Sequence, residues 1–247
     1  MTDLSLPLIL SIISAATSGL FAAMVLKRWY GRRRPHLLAW GIGLTLYFLA
    51  TVSQVVLALT WSDFFFSLWY WSGAIALVPW LGQGTVFLLI RRGNIARNLQ
   101  MALLLVCVMT LPWMLFLTPL DSSHWSPGTD MTAIFADVMP PFSGSVRVFA
   151  PVMNIWGTIT LVGGAIWSAR MFRKKQIMRN RVVGNWLIAF GGILPAFGGT
   201  LILLGSPAFK YAGEMLGAIL IFAGFLVVTN VPEEAQPPRR EAQAAGD

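Results

Sequence analysis

SLPLILSIISAATSGLFAAMVL, residues 5–26, runs straight into KRWYGRRR, residues 27–34. The first stretch carries no charge, and a helix rising about 1.5 Å per residue needs about 20 such residues to cross a hydrocarbon core of about 30 Å. The second stretch stops the crossing with five cations. The alternation recurs, with further apolar stretches at 37–60, 68–90, 98–119, 149–169, 182–205 and 209–229, all 21 to 24 residues long. Over 247 residues the chain is 56% apolar and 11% charged, with a mean hydropathy of +0.69. That lies well outside the soluble range. Only helices or closed barrels satisfy the backbone in lipid, and these continuous runs lack a barrel's two-residue alternation. The expected fold is an all-α membrane protein of seven transmembrane helices.

The distribution of Lys and Arg gives an expected orientation. Lys27, Arg28 and Arg32–Arg34 follow the first span, and Arg91, Arg92 and Arg97 follow the third. Six more, from Arg170 to Arg181, follow the fifth, and Arg239 and Arg240 lie in the tail. Only Arg147 and Lys210 fall on the other side. The basic face reads as cytoplasmic, with the N-terminus outside and the C-terminus inside. No cation precedes the first span, so it reads as a retained helix and not a cleaved leader. Residues 1–230 are expected to form the transmembrane domain and 231–247, with Pro237 and Pro238, a disordered cytoplasmic tail.

The net charge of +8 does not point to nucleic acid, because the cations are scattered over short loops. Their expected partner is the anionic surface of the lipid bilayer. The first outer connection is aromatic from Trp61 to Trp71, a composition that favours the membrane interface. Residues 120–148 make an unusually long connection, in which Met131–Met139 has the pattern of a short amphipathic helix. An internal repeat is suggested at an offset of roughly 144 to 147 residues: Gly73-Ala74-Ile75 matches Gly217-Ala218-Ile219. This would be a parallel 3+1+3 arrangement, as in SWEET-type sugar transporters.

Polar residues inside the spans are costly in lipid and usually face the bundle interior. Tyr47, Thr51 and Gln54 share one face of the second span, and Ser72, Pro79 and Gln83 share one face of the third. Asn154, Thr158 and Asn185 follow in the fifth and sixth. Glu214 is the single acidic residue inside a span, and its expected partner is Arg147 or Lys210. The candidate ligand-binding residues are Glu214, Arg147, Asn154, Gln54, Gln83 and Asn185. Each also has a plain alternative, a hydrogen bond that holds two helices together.

No catalytic set is legible. His36 and His124 are assigned to opposite faces, a single cysteine (Cys107) excludes an intrachain disulfide, and no phosphate loop, dinucleotide fingerprint, HExxH or nucleophile elbow is present. Lys210 lies at the outer end of the seventh span, not midway along it as a retinal Schiff base requires. No enzymatic activity, metal or cofactor is expected.

Three stretches carry a resemblance: Leu68–Leu89 (LWYWSGAIALVPWLGQGTVFLL), Arg147–Ser168 (RVFAPVMNIWGTITLVGGAIWS) and Gly184–Thr200 (GNWLIAFGGILPAFGGT). With Gly213–Phe225, they resemble a family of bacterial seven-helix membrane proteins of uncharacterised activity. The resemblance implies the same topology and a bacterial plasma membrane, and carries over no functional residue. The functional expectation is a non-enzymatic sensor or accessory subunit that binds a small apolar or amphipathic ligand in the outer half of the bundle. A small-solute or lipid transporter is the alternative, and a structural subunit with membrane-protein partners or copies of itself is the third reading.

Overall fold

The computed structural model describes residues 6–90, 93–174, 182–184, 186–188, 190, 191, 194 and 208–229. Asn185, Pro195, the tail and most of the sixth span lie outside these residues. The described residues are helical with no strand, and five helices are long and apolar enough to cross a membrane. They are α1 (Leu6–Arg32), α2 (Pro35–Leu59), α3 (Asp63–Leu89), α4 (Ile95–Leu117) and α6, which runs through Phe149–Thr158, Ile159–Gly163 and Gly164–Lys174. A short helix, α5 (Met131–Val138), lies in the long connection, and α7 (Ala208–Thr229) is a further apolar helix.

Local chemistry sets the helix ends. Pro35 forces Arg34 into extended backbone and opens α2, since a residue before proline avoids the helical region. Arg33 therefore closes α1 in the left-handed region at φ 49°, its N–H donating to the Trp29 carbonyl at 2.7 Å. Its guanidinium lies over the Trp29 and Tyr30 rings at 4.8 and 4.6 Å, which helps hold a conformation costly for any residue with a Cβ. Helix α3 starts at Asp63, five residues before the apolar stretch, because the Ser62 side chain caps it by accepting from the Phe65 N–H. The aromatic run is therefore mostly helix, and Phe66 and Tyr70 are buried instead of lying at an interface.

Helices α3, α4 and α6 each contain a π-helical stretch: Trp71–Ala76, Trp113–Leu117 and Ile159–Gly163. In α3 the stretch precedes Pro79. Proline has no N–H to give the carbonyls four and five residues back, and the wider turn accommodates its ring.

Among the described residues the bundle has three apolar clusters, the smallest around Val162 and Ala165. One, at the end away from the basic residues, gathers Phe66, Tyr70, Trp71, Met114, Met131 and Val146. Another, toward the basic end, gathers Phe21, Val25, Leu44, Leu81, Leu161 and Phe225. Residues 120–148 close over the first cluster. Asp130 caps α5 by accepting from the Thr132 N–H at 2.9 Å, and Met131 and Val138 turn inward. Trp125 Nε1 donates to the Leu57 carbonyl at 2.9 Å, and the Gly128 N–H to the Ala58 carbonyl at 2.9 Å. The long connection thus occupies the last carbonyls of α2, which have no partner within their own helix.

The described residues of the sixth span pack on α7 through glycines. A Cβ on Gly191 would lie 2.7 Å from the Gly217 carbonyl oxygen, and one on Gly224 would lie 2.5 Å from the Gly184 carbonyl oxygen. Without a hydrophobic force between helices in lipid, close backbone approach and hydrogen bonds carry the association.

Candidate functional site

The polar face of α2 meets α1 in a buried seam. Gln54 Nε2 donates to Ser11 Oγ at 3.3 Å, Ser14 Oγ donates to the Tyr47 hydroxyl at 3.4 Å, and Ser18 Oγ and Thr51 Oγ1 lie 3.4 Å apart. The Tyr47 hydroxyl in turn donates to the backbone carbonyl of Glu214 on α7 at 2.8 Å. Ser11, Ser14 and Ser18 recur at helical spacing on α1 and complete the seam. They escape the sequence reading because a serine's hydroxyl commonly bonds to its own helix.

Asn154 sits where α6 crosses α3. Its Nδ2 donates to the Ala74 carbonyl at 2.6 Å, inside the π-helical stretch, and to the Ala150 carbonyl at 2.8 Å. Ala74 is five residues before Pro79, so Asn154 supplies a donor where the proline withholds one. One turn further along α6, Gly157 lets the two backbones touch: a Cβ there would lie 2.5 to 2.7 Å from Val78 and Pro79 backbone atoms. Gln83, on the same face of α3 as Pro79, is fully buried and donates to the Ala96 carbonyl of α4 at 2.7 Å. Its Oε1 has no hydrogen-bond partner among the described residues.

Arg147 does not reach Glu214. It lies in a turn (Val146–Val148) just before α6, and its guanidinium folds back over the long connection. There it donates to the Pro140 carbonyl at 3.0 Å and the Ala136 carbonyl at 3.4 Å, and stacks over Phe135 at 5.2 Å. The Arg147 alternative is not met because α6 packs on α3, whereas α7 packs on α1 and accepts a hydrogen bond from Tyr47 of α2; the Lys210 side chain, the other expected partner, lies outside the described ones. Arg147 and Glu214 thus stand beside different helices of the bundle. Gln54, Asn154, Arg147 and Glu214 therefore do not converge on one outer pocket, and Asn185 lies outside the described residues.

Arg147 instead latches the long connection. Arg147→Gln should speed proteolysis between residues 120 and 148 while leaving the global melting temperature within a few degrees. If cleavage and global unfolding shift together, the latch is not local. Nearby, Asp121 accepts from the Ser123 N–H at 2.9 Å, and that hydrogen bond holds its carboxyl below the usual carboxylate range.

Among the described residues an apolar cavity lies elsewhere. It has a volume of about 20 Å³, lies in the basic half of the bundle, and has an entirely apolar lining. Phe21 and Val25 of α1, Trp40 of α2, Leu81 of α3, Leu161 of α6 and Phe225 of α7 all face it, and Ile188 of the sixth span joins them. Glycines bring these walls together. A Cβ on Gly43 would strike Leu81, and one on Gly84 would strike the Trp40 ring, whose Nε1 donates to the Leu81 carbonyl at 3.0 Å. Cys107 is packed away from this space, accepting from Trp80 Nε1 at 3.4 Å. Among the described residues no three His, Cys, Asp or Glu side chains are grouped to hold a metal. Comparisons with protein-family models, with curated proteins and with solved structures return no match.

Proposed function

We propose that the chain is a non-enzymatic seven-helix protein of a bacterial plasma membrane, of the family its three motif stretches resemble. In this reading it binds a small apolar or amphipathic ligand, as a sensor or accessory subunit. The observation that supports ligand binding is the apolar cavity where six helices meet. A small apolar gap forgoes the dispersion contacts that close packing would supply, and its lining favours hydrocarbon over water. The ligand site moves accordingly from the outer half to the basic half of the bundle. The test is binding of dodecanol to the protein in phosphatidylcholine nanodiscs, corrected for partition into empty discs. Leu161→Phe and Leu44→Phe, which fill the space from two different helices, should each abolish saturable binding. Unchanged binding in a folded filled variant rejects the site.

Seven spans with the N-terminus outside belong to the same proposal. In a Cys107→Ala background, Asp130→Cys and Gln176→Cys should label from opposite sides of the membrane. Labelling from one side overturns the topology. The π-helical stretches in three neighbouring helices favour a second reading, transport through a bundle that bends at α3, α4 and α6, as the 3+1+3 repeat would allow. Flux of a bound solute into proteoliposomes separates the two.

A further inference from the structure

We infer that the bundle opens on the side where α1 meets α7, with the α3–α6 crossing as its pivot. The helices fall into two halves, α1, α2 and α3 on one hand and α6, the sixth span and α7 on the other. The hairpins of the two halves cross in the same register. In the first, a Cβ on Gly43 of α2 would lie 2.7 Å from Leu81 of α3. Gly73 and Gly217 of the matching Gly-Ala-Ile stretches are 144 positions apart, and the same step carries Gly43 and Leu81 to Leu187 and Phe225. In the second hairpin a Cβ on Gly224 would lie 2.9 Å from Ile188, one position away from that pair on each helix. Exchanging the halves turns the α1–α7 contact into the α6–α3 contact, and both contacts exist. The two surfaces are equivalent by position, so their chemistry decides which one moves.

The α3–α6 surface is locked. Helix α3 meets all three stretches of α6, and Gly157 seats directly against the Val78 and Pro79 backbone. Asn154 Nδ2 donates across it to the Ala74 carbonyl at 2.6 Å, a bond that lipid cannot replace. The α1–α7 surface is built differently. There the Phe21 ring meets Phe222 at 4.6 Å and Phe225 at 5.3 Å, side chain against side chain. Lipid tails are as apolar as these rings, so no hydrophobic force opposes their separation. Leu20 on α1 and Leu216 on α7 are exposed. The Tyr47 hydroxyl, donating to the Glu214 carbonyl at 2.8 Å, and the Arg28 guanidinium, 5.1 Å from the centre of the Phe225 ring, hold this side shut. Phe21 and Phe225 also line the apolar cavity, which makes this side the entrance for a lipid-borne ligand; that last step alone rests on the ligand-binding reading.

The test measures distances between nitroxide labels by double electron–electron resonance on the full chain in phosphatidylcholine nanodiscs, in a Cys107→Ala background. Leu20→Cys with Leu216→Cys reports on α1 and α7, and Phe64→Cys with Val152→Cys reports on α3 and α6. The first pair should show a minor population at longer distance, and the second a single narrow distribution. Tyr47→Phe should raise the longer population of the first pair about fivefold, the scale of one hydrogen bond, and leave the second pair unchanged. A single narrow distance for α1–α7 with and without Tyr47→Phe, or equal broadening of both pairs, overturns the inference. No ligand enters these measurements, so they stand apart from the dodecanol binding that tests the ligand-binding reading.

Discussion

Gly157→Ala is expected to lower the melting temperature of the detergent-solubilised protein more than any other glycine-to-alanine change on α6. The added methyl would meet the Val78 and Pro79 backbone at 2.5 to 2.7 Å, and backbone cannot step aside as a side chain can. Overpacking of this kind costs typically about 1–3 kcal/mol, and contact with main-chain atoms places it toward the upper end. Gly157→Leu should fail to assemble. Gly163→Ala is the control: no atom lies within 4 Å of the built Cβ, so alanine there should be neutral or mildly stabilising. Equal losses at positions 157 and 163 would mean that the α3–α6 crossing is looser than described.

Asn154→Leu carries the second large effect. It leaves the Ala74 carbonyl without its inter-helix donor in a setting where water does not replace it. A buried polar group stripped of its partner costs about 1–3 kcal/mol. If the asparagine compensates for the missing N–H of Pro79, Pro79→Ala in the Asn154→Leu background should recover part of that loss. The same Pro79→Ala change alone should do little or mildly destabilise the kinked helix. A double-mutant cycle on melting in detergent isolates the coupling. Simple additivity of the two changes would show that asparagine and proline act separately.

These two predictions show where the sequence is legible. Periodicity places Tyr47, Thr51 and Gln54 on one face, and they do form one seam. It places Asn154 inside a span, yet its role depends on a carbonyl near a proline 75 positions earlier, which spacing within one helix cannot reveal. The amphipathic pattern at 131–139 is a helix, Met131–Val138. The start of α3 is missed, because hydropathy sets it at residue 68 and the polar Ser62 cap carries the helix back to Asp63. Pairing Arg147 with Glu214 failed for a general reason. Hydropathy reports depth along the membrane normal and says nothing of position around the bundle, so residues at one level can face different neighbours. The cavity is the least legible feature, because it is set by what six helices leave unfilled; Gly43 and Gly84 hint at close walls and not at the gap between them.

The carbonyls of Leu57 and Ala58 acquire their partners, Trp125 and Gly128, only after the chain has travelled out through α3 and back through α4. During synthesis the end of α2 emerges long before those residues exist. It must rest on water until two further hydrophobic segments have been integrated and the long connection delivered to the same side. Assembly therefore has a built-in delayed step, the docking of residues 120–148, and a ribosome-bound chain truncated before Trp125 would present an unfinished helix terminus.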